Sequence, residues 1–525
     1  MRRKETMKKE RLKLFFLSLV LSIAVILGGT AQGMEWGDGK VTLNGFIKNQ
    51  TGYRFGFYDD ERGSGLSMFR NTLQLEGEAK FNETTSLYVI GRGVRETGYH
   101  LERRAVDAGN FNDDVYNEGR LREYYLAWQA TKRVWLGLGK QQVVWGDLGG
   151  MGLRVMDIIN PLDLRWHYAL EDFESMRKPL NMLNAIVSVP EVGGNIQLVW
   201  VPAIDEPWER VNSIYANPGH RYAINSVPAG SLFGPPAFIT PDGSRFSNGT
   251  VKGVWEPKTF ALGVPEDDEA DPANIKRDLS QSTIAISWEQ KIGGLNYRLM
   301  ECYTYNHAPA VYWQGSPLLG APANIKYFRQ NIIGVSANYY EGWSKSVLRT
   351  EIGHFHNVPY TADKRLMIGG WGGVPNPDFY HLERKDTIKF GFGWDRNTFF
   401  NFLSPTRSVS TSFQVLGTWI LNHDKDLIDP GYNTKVKELD IMLTLFMNWG
   451  WNNDRMQINL YPAYNVSRRF GMLMAWIDYK PQWLGGGNVT ITPKVNLFYG
   501  KDPWAGDFGL VRGSSEGLLE IKYEF

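Results

Sequence analysis

Long runs of two-residue alternation constrain this chain more than any other feature. In DTIKFGFGWDR, Ile388, Phe390, Phe392 and Trp394 alternate with Thr387, Lys389, Gly391, Gly393 and Asp395. In NTLQLEGEAKF, Leu73, Leu75, Gly77, Ala79 and Phe81 oppose Gln74, Glu76, Glu78 and Lys80. In NVTITPKVNLFYG, Val489, Ile491, Pro493, Val495, Leu497 and Tyr499 oppose Asn488, Thr490, Thr492, Lys494 and Asn496. SKSVLRTEIGHF sets Leu348 and Ile352 against Arg349 and Glu351, and ELDIMLTLFMNW sets Leu439, Ile441, Leu443 and Leu445 against Asp440 and Thr444. A period of two marks a strand whose two faces meet different surroundings.

A soluble β-sandwich also alternates, so strand length and the opposing face must decide. Soluble strands average about 5 or 6 residues; these runs are longer and set charge opposite the apolar face. A membrane-crossing strand needs roughly 9 to 11 residues and turns its apolar face to lipid, within a closed ladder that leaves no backbone group unpaired. The pattern therefore predicts an all-β fold, a transmembrane antiparallel β-barrel of about 18 strands, with 16 as the alternative, since bacterial barrels favour even numbers. MQINLYPAY sets Met456, Ile458 and Leu460 against Gln457 and Asn459; Pro462 in that run and Pro493 in the one above read as local ladder defects.

Connections alternate in length as barrel turns do. Short links near 82–85, 130–133, 190–194, 291–294 and 341–343 alternate with long ones near 97–118, 146–181, 203–278, 306–326 and 357–383. Short periplasmic turns and long outer loops are the expected asymmetry. The link 397–408 falls on the short side despite its length and is expected to form a small amphipathic helix at the interface. Trp394, Trp419, Trp449, Trp451, Trp476 and Trp504 lie at strand ends, where aromatic girdles are expected.

The N-terminus reads as an export signal. Residues 1–13 are strongly basic, Leu14–Leu27 is a short apolar core, and the small-residue stretch GGTAQG follows. This predicts a signal peptide over 1–33 and a barrel over 34–525, placed in the outer membrane of a Gram-negative bacterium after Sec-type export. Beyond Leu27 no run of about 18 apolar residues recurs. With 57 Lys+Arg against 56 Asp+Glu, the chain has no electrostatic footprint for nucleic acid. Its one cysteine, Cys302, excludes an intrachain disulfide and any Cys-x-x-Cys site.

The least strand-like chemistry is one block, Gly139 to Leu183, GKQQVVWGDLGGMGLRVMDIINPLDLRWHYALEDFESMRKPLNML. It breaks at the Gly146–Gly152 cluster and then carries both signs of charge densely. Its elements GKQQVVWG, GLRVMDIINPLDLR and EDFESMRKPL resemble the signature of the Gram-negative outer-membrane family known as domain of unknown function 1302, strongly over about residues 139–183. The resemblance implies an outer-membrane barrel of unproven activity. Genes of such proteins are often near those for resistance-nodulation-division transporters and for catabolism of steroids, terpenes or other hydrophobic compounds, which implies substrate passage by association alone. Where the family commonly shows an Arg, Lys140 keeps the charge and loses the bidentate fork.

A loop this charged can fold into a barrel lumen and narrow it, which makes Arg154, Asp157, Asp163, Arg165, Asp172, Glu174 and Arg177 candidates for a constriction. Inward faces of the strands would add Glu76, Glu78, Arg349, Glu351, Lys389, Asp440 and Lys494. A salt-bridged loop that only stiffens the barrel fits the same composition equally well.

Remaining signals are weaker. Gly513–Gly517 matches Gly-x-Ser-x-Gly around Ser515, but a nucleophile elbow needs a strand-to-helix turn and this stretch precedes a strand. His354 and His356 share one strand face without an evident third metal ligand. The acidic run 266–271 lacks the spacing of a calcium loop and reads as a solvated outer loop. Nothing calls for a cofactor, a metal or catalysis.

The reading is a porin-like channel giving passive passage to an organic, hydrophobic solute. Outer-membrane lipid and lipopolysaccharide, the outer-membrane assembly machinery, the small-molecule solute and a transporter complex are the expected partners. The rivals are an accessory or assembly-partner barrel for an efflux or electron-transfer system, and a structural surface protein. In GLLEIKYEF, Gly517, Leu519, Ile521, Tyr523 and Phe525 alternate with polar residues and end on an aromatic, as an assembly signal on a closing strand would.

Overall fold

The computed structural model describes residues 33–525 except 57–63, 98–116, 151–152, 164–172, 204–278, 308–309, 314–322, 327, 364–379, 405–406, 430–433, 485–486 and 502–511. The expected signal peptide, the long outer loop 203–278 with its acidic run, Arg165, Asp172 and Trp504 therefore lie wholly or almost wholly outside the described residues.

One 23-stranded antiparallel sheet dominates, and five of its strands are short pieces of two to four residues (Met34–Trp36, Ala310–Trp313, Ala323–Lys326, Leu427–Asp429, Thr434–Lys435). The other 18 form the wall. In chain order they are β1 (Val41–Arg54), β2 (Gly65–Asn82), β3 (Thr85–Glu96), β4 (Glu118–Gln129), β5 (Val134–Gln141), β6 (Leu180–Val189), β7 (Gly194–Val201), β8 (Thr283–Ile292) and β9 (Leu295–Tyr305). They continue as β10 (Arg329–Glu341), β11 (Ser346–Asp363), β12 (Tyr380–Thr398), β13 (Val409–Ile420), β14 (Leu439–Trp451), β15 (Met456–Asn465), β16 (Phe470–Tyr479), β17 (Val489–Gly500) and β18 (Glu516–Glu524). Each pairs with its sequence neighbours, and β18 pairs with β1 from Phe46↔Glu524 to Arg54↔Glu516. The sheet closes on itself as an 18-stranded antiparallel barrel, so the wall has no free edge.

Burial inverts the soluble pattern. Outward residues such as Leu73 (43% exposed), Ile284 (58%), Leu299, Ile333 and Phe392 are apolar and uncovered. Inward residues such as Lys48 (7%), Gln50, Arg70 (2%), Gln74 and Arg92 are polar and buried. No helix among the described residues is long and apolar enough to cross a membrane.

Both prolines interrupt the ladder as expected. Between β14 and β15 pairing stops after Thr444↔Ala463 and resumes at Met447↔Leu460. Between β16 and β17 it stops at Trp476↔Lys494 and resumes at Tyr479↔Ile491. Proline has no N–H to contribute.

Two expectations fail. The link 397–408 forms a turn at 401–403, closed by Leu403 N–H and Ser404 N–H to the Phe400 carbonyl, rather than a short helix. Trp476 is no girdle residue: the alternation of FGMLMAWIDY puts it on the inner face with Met472 and Met474, stacked on Phe446 at 6.1 Å between ring centroids.

Candidate functional site

After β5 the chain leaves the wall and runs inside the barrel before returning at β6. Trp145 Nε1 donates to Gln197 Oε1 on β7 at 2.9 Å, and Gly149 N–H donates to Gln414 Oε1 on β13 at 3.2 Å. Side chains pointing inward from strands so far apart around the wall converge only within the lumen. Between these points Arg298 Nη1 on β9 donates to the Val144 carbonyl, and Asn338 Nδ2 on β10 donates to Asp147 Oδ2. The segment is thus bonded to wall strands from β7 to β13.

Glu351 on β11 is the central anchor. It is 1% exposed, and its Oε1 accepts the backbone N–H groups of Asp147 (2.5 Å) and Leu148 (2.9 Å), while Oε2 accepts that of Met156 (3.0 Å). A carboxylate here satisfies three backbone donors that the Gly-rich break leaves without ladder partners. Gly146 makes room for it, because a Cβ there would lie 2.8 Å from Glu351 Oε2 and 2.7 Å from the Asp157 nitrogen. Arg349, two residues earlier on the same inner face, donates to the Asp147 carbonyl and pairs with Asp395 on β12.

Glycines on the wall receive the apolar side of the segment. Gly334 on β10 and Gly353 on β11 are direct cross-strand partners, and Met156 fills the space a Cβ on either would need. On β12, a Cβ at Gly391 would sit 2.9 Å from Leu148 and 3.2 Å from Val155, and one at Gly393 would sit 2.8 Å from Leu148. Leu148, Val155, Met156, Ile158 and Ile159 are all buried in one apolar cluster with inner-wall residues such as Met182, Met300, Ile332 and Leu416.

The charged part is tied down at its base. Arg177 Nε meets Asp157 Oδ2 at 2.7 Å and Arg154 Nη1 meets the same oxygen at 3.4 Å. Arg154 also donates to the Asn160 carbonyl, and its burial pulls the guanidinium below its ordinary pKa, with Asp157 opposing. Asn160, fully buried, accepts from Val143 N–H and donates to the carbonyls of Gln141 and Lys178, joining the two ends of the excursion. Asp163 N–H donates to the Met176 carbonyl, and Arg122 on β4 donates to the carbonyls of Glu174 and Arg177.

The structure therefore brings Arg154, Asp157 and Arg177 into one cluster, ties the backbone of Asp163 to Met176 beside it, and sets Glu351 and Arg349 against the segment's backbone at 147, 148 and 156. Glu174 sits in a single helical turn, Phe173–Met176, with its side chain exposed. The other inward candidates are spread around the wall. Glu76 accepts from Gln74 Nε2, Glu78 pairs with Lys80, and Lys389 lies over the Phe355 ring at 4.5 Å. Asp440 pairs with Arg468 at 2.8 Å, and Lys494 lies over Trp476 at 5.0 Å. Sequence reasoning missed Asn160, Gln414 and the wall glycines.

The inner wall also carries two contrasting groups of side chains, the apolar one continuous with the cluster around Leu148 and Val155. Strands β1–β4 carry a polar ladder in which Arg92 Nε donates to Gln74 Oε1 at 2.7 Å, Arg70 pairs with Glu96, and Gln50 donates to Glu520 of β18. Strands β14–β17 present Met442, Phe446, Tyr461, Met472, Trp476 and Phe498 to the same interior.

Other singled-out residues fall elsewhere. Ser515 Oγ accepts Phe498 N–H at 2.9 Å, between a short 3-10 turn and β18 rather than at a strand-to-helix elbow. His354 and His356 both face Asp386, at 3.3 and 2.9 Å. Cys302 is fully buried on the inner face of β9.

Residues 54–513 match the family described as "Protein of unknown function (DUF1302)". No curated protein matches the chain in sequence. Among solved structures, the chain is similar to Acinetobacter baumannii OccAB3 (9% identity, 92% of this chain and 99% of that one, TM-score 0.47). It is also similar to a BenF-like porin from Pseudomonas fluorescens Pf-5 (10%, 92% and 98%, 0.45) and to Pseudomonas aeruginosa OccK2 (OpdF) in complex with glucuronate (8%, 94% and 98%, 0.45). At these identities and scores the likeness carries no argument about solute or mechanism.

Proposed function

This chain belongs to the family described as Protein of unknown function (DUF1302), and from that premise we propose a porin-like outer-membrane channel for passive passage of an organic solute. The observation that carries the reading is the segment inside a closed barrel, bonded to Glu351 and fitted against wall glycines. A barrel with an apolar exterior needs lipid around it, and a segment fixed across its lumen narrows the path a solute would take.

Solute class follows from the two wall sectors. An interior that carries Met472, Phe498 and Trp476 on one side and Arg70, Arg92 and Gln74 on the other suits an organic molecule with an apolar body and a polar or charged group, once such a molecule displaces part of that packing. The apolar side offsets the loss of solvent-separated freedom by burying surface at about 25 cal/mol per Å². The polar side replaces hydration of the charged group. Arg154, Asp157, Asp163 and Arg177 would set charge preference where the segment narrows the lumen. Asn160 and Glu351 position that cluster without needing to touch the solute.

The reading is tested with the full chain in planar bilayers and in liposomes. Discrete conductance steps, with uptake of an aromatic carboxylate such as benzoate exceeding that of a sugar of equal size, are expected. Folded barrels that give no steps and no uptake would leave the structural or partner-dependent readings instead.

A further inference from the structure

We infer that the outward face of β14–β17, at the end of the barrel that bears the long loops, is a binding site for lipopolysaccharide, with acyl chains in an apolar groove and phosphate on Arg469 and Lys501. The inference rests on the outer-membrane barrel and goes beyond the channel reading, on which it does not depend.

Strand register builds the groove in rows. Tyr464 of β15, Gly471 of β16 and Tyr499 of β17 stand side by side, and one step further along the outward alternation so do Pro462, Leu473 and Leu497. Gly471 is the floor of the upper row. Having no side chain, it lets the two tyrosine rings approach across it to 6.4 Å between centroids, and a Cβ there would lie 3.0 Å from the Tyr464 ring. Leu443 and Leu445 of β14 complete the far side, and the groove holds about 580 Å³ within an almost wholly apolar lining.

Cations stand at the rim directly above the tyrosines. The pairing of β16 with β17 is carried one step past Phe470↔Gly500 by Lys501 N–H, which donates to the Arg469 carbonyl at 3.1 Å. Lys501 follows Leu497 and Tyr499 in the outward alternation, and both cations are exposed. The turn that carries Arg469 is fixed to its neighbours. Val466 N–H donates to the Ile441 carbonyl, Ser467 Oγ accepts Ile441 N–H and donates to the Leu439 carbonyl, and Arg469 N–H donates to the Asn465 carbonyl. Among the described residues neither Arg469 nor Lys501 has a carboxylate partner. By contrast, Lys385 at the same end pairs with Asp424 and Glu383, Arg468 pairs with Asp440, and Arg329 donates to the Ser280 and Ser282 carbonyls.

From the rim toward the middle of the wall the face therefore runs cation, tyrosine, aliphatic. A glycolipid of the outer leaflet presents phosphate, sugar and acyl chain in that order. Long loops mark the outer side of such a barrel, and the connections 421–438 and 501–515 lie at this end. Tyrosine suits the middle layer, being apolar in its body and polar at its tip. A lysine or arginine at a membrane boundary keeps its charge among the headgroups, and hydrogen bonds between such a cation and phosphate are of the strong, charge-assisted kind. Charge complementarity thus selects an anionic glycolipid over a zwitterionic lipid.

The test uses the full chain, purified in detergent and confirmed as folded by heat-modifiable migration, with hexaacyl lipid A as the probe and phosphatidylglycerol as an anionic lipid that lacks the sugar. In native mass spectrometry the wild type should keep one lipid A at a concentration where phosphatidylglycerol is lost. Arg469→Ser with Lys501→Ser should weaken that retention several-fold. Leu473→Trp, which fills the groove and leaves the cations in place, should weaken it as well. Lys132→Ser, in a short turn at the opposite end, should leave it unchanged. Equal retention of the two lipids, or wild-type retention of lipid A in the double variant or in Leu473→Trp, overturns the site. Conductance in planar bilayers is expected to be the same for the wild type and the double variant. A protein that keeps lipid A but gives no conductance steps loses the channel reading alone, and one that conducts without keeping lipid A loses this site alone.

Discussion

Glu351 on β11 and Leu148 on the inward segment are joined by a 2.9 Å hydrogen bond across 203 positions of sequence, and the same carboxylate also takes the N–H groups of Asp147 and Met156. One wall side chain thus holds two separate turns of the segment. Hydrogen bonds to a charged group contribute about 1.5–3 kcal/mol each, so Glu351→Ala should release the segment while leaving the barrel closed. Single-channel conductance is expected to rise and become noisier, with heat-modifiable gel migration unchanged. Glu351→Gln keeps the shape but turns one acceptor oxygen into a donor, and its conductance should fall between wild type and Ala. Wild-type conductance in Glu351→Ala would show that the segment is held elsewhere.

Wall glycines give a test without any change of charge. A Cβ at Gly353 would lie 2.5 Å from the Met156 sulfur and 2.9 Å from the Phe355 ring. In an ordinary strand replacing glycine is favourable by about 0.5–1 kcal/mol, but overpacking costs about 1–3 kcal/mol. Gly353→Val and Gly391→Val should therefore push Met156 and Leu148 off the wall and change conductance, while cation-to-anion preference stays within a narrow range of wild type. The contrasting substitution Gly119→Val, at a position with open space around it, should leave conductance untouched. Reversal potentials and conductance in the same bilayers separate the two effects.

Asp157 holds two arginines, Arg177 at 2.7 Å and Arg154 at 3.4 Å. Removing one partner of a buried ionic group typically costs about 3–5 kcal/mol because the remaining charge is left uncompensated. Asp157→Asn should leave net positive charge beside the narrowed lumen and move the reversal potential in a salt gradient toward anion preference. Arg154→Gln should move it the other way. Identical reversal potentials in both variants would assign the cluster a stiffening role only.

The barrel was legible because closure and lipid contact act on every strand alike. Leu73 against Gln74 and Ile352 against Glu351 carry the two-face pattern locally, so periodicity alone could find it. The inward segment was half legible. Its charge density singled out Arg154, Asp157 and Arg177, and the alternation of TEIGHF put Glu351 on the inner face. The role of Glu351 as a backbone anchor depends on contacts about 200 residues away in sequence, which no local pattern encodes. The glycines could have been found from KFGFGW, where Gly391 and Gly393 take inward places next to Lys389 and Asp395. By alternation alone they are small members of the polar face, although a missing side chain on a wall is also a socket. For Trp476, nearness to a strand end points to a girdle, but its parity with Met472 and Met474 decides the face.

Phe525 sits at the seam that closes the barrel, and its backbone exchanges two hydrogen bonds with Gly45 of β1, at 2.8 and 2.9 Å. Its ring fills the place of a side chain at Gly45, where a Cβ would be 3.0 Å away, and packs with Tyr523 at 6.2 Å between centroids. Gly517, Leu519, Ile521 and Tyr523 continue the outward face of β18 against β1 from Tyr53 to Ile47. Closure of the barrel requires the pairing of β18 with β1, so weakening the last contacts of that seam should affect how many barrels close more than how they look once closed. Phe525→Ala removes the ring but neither backbone bond, and Gly45→Val forces the ring aside from the other strand. Both should lower the yield of heat-modifiable, membrane-inserted barrel several-fold, with the folded fraction showing wild-type conductance. A short polar extension after Phe525 tests the proposed recognition by assembly machinery separately from packing. It leaves the ring and both backbone bonds intact, so reduced insertion in cells together with normal refolding into liposomes would assign the loss to recognition, and equal loss in both settings would assign it to the seam.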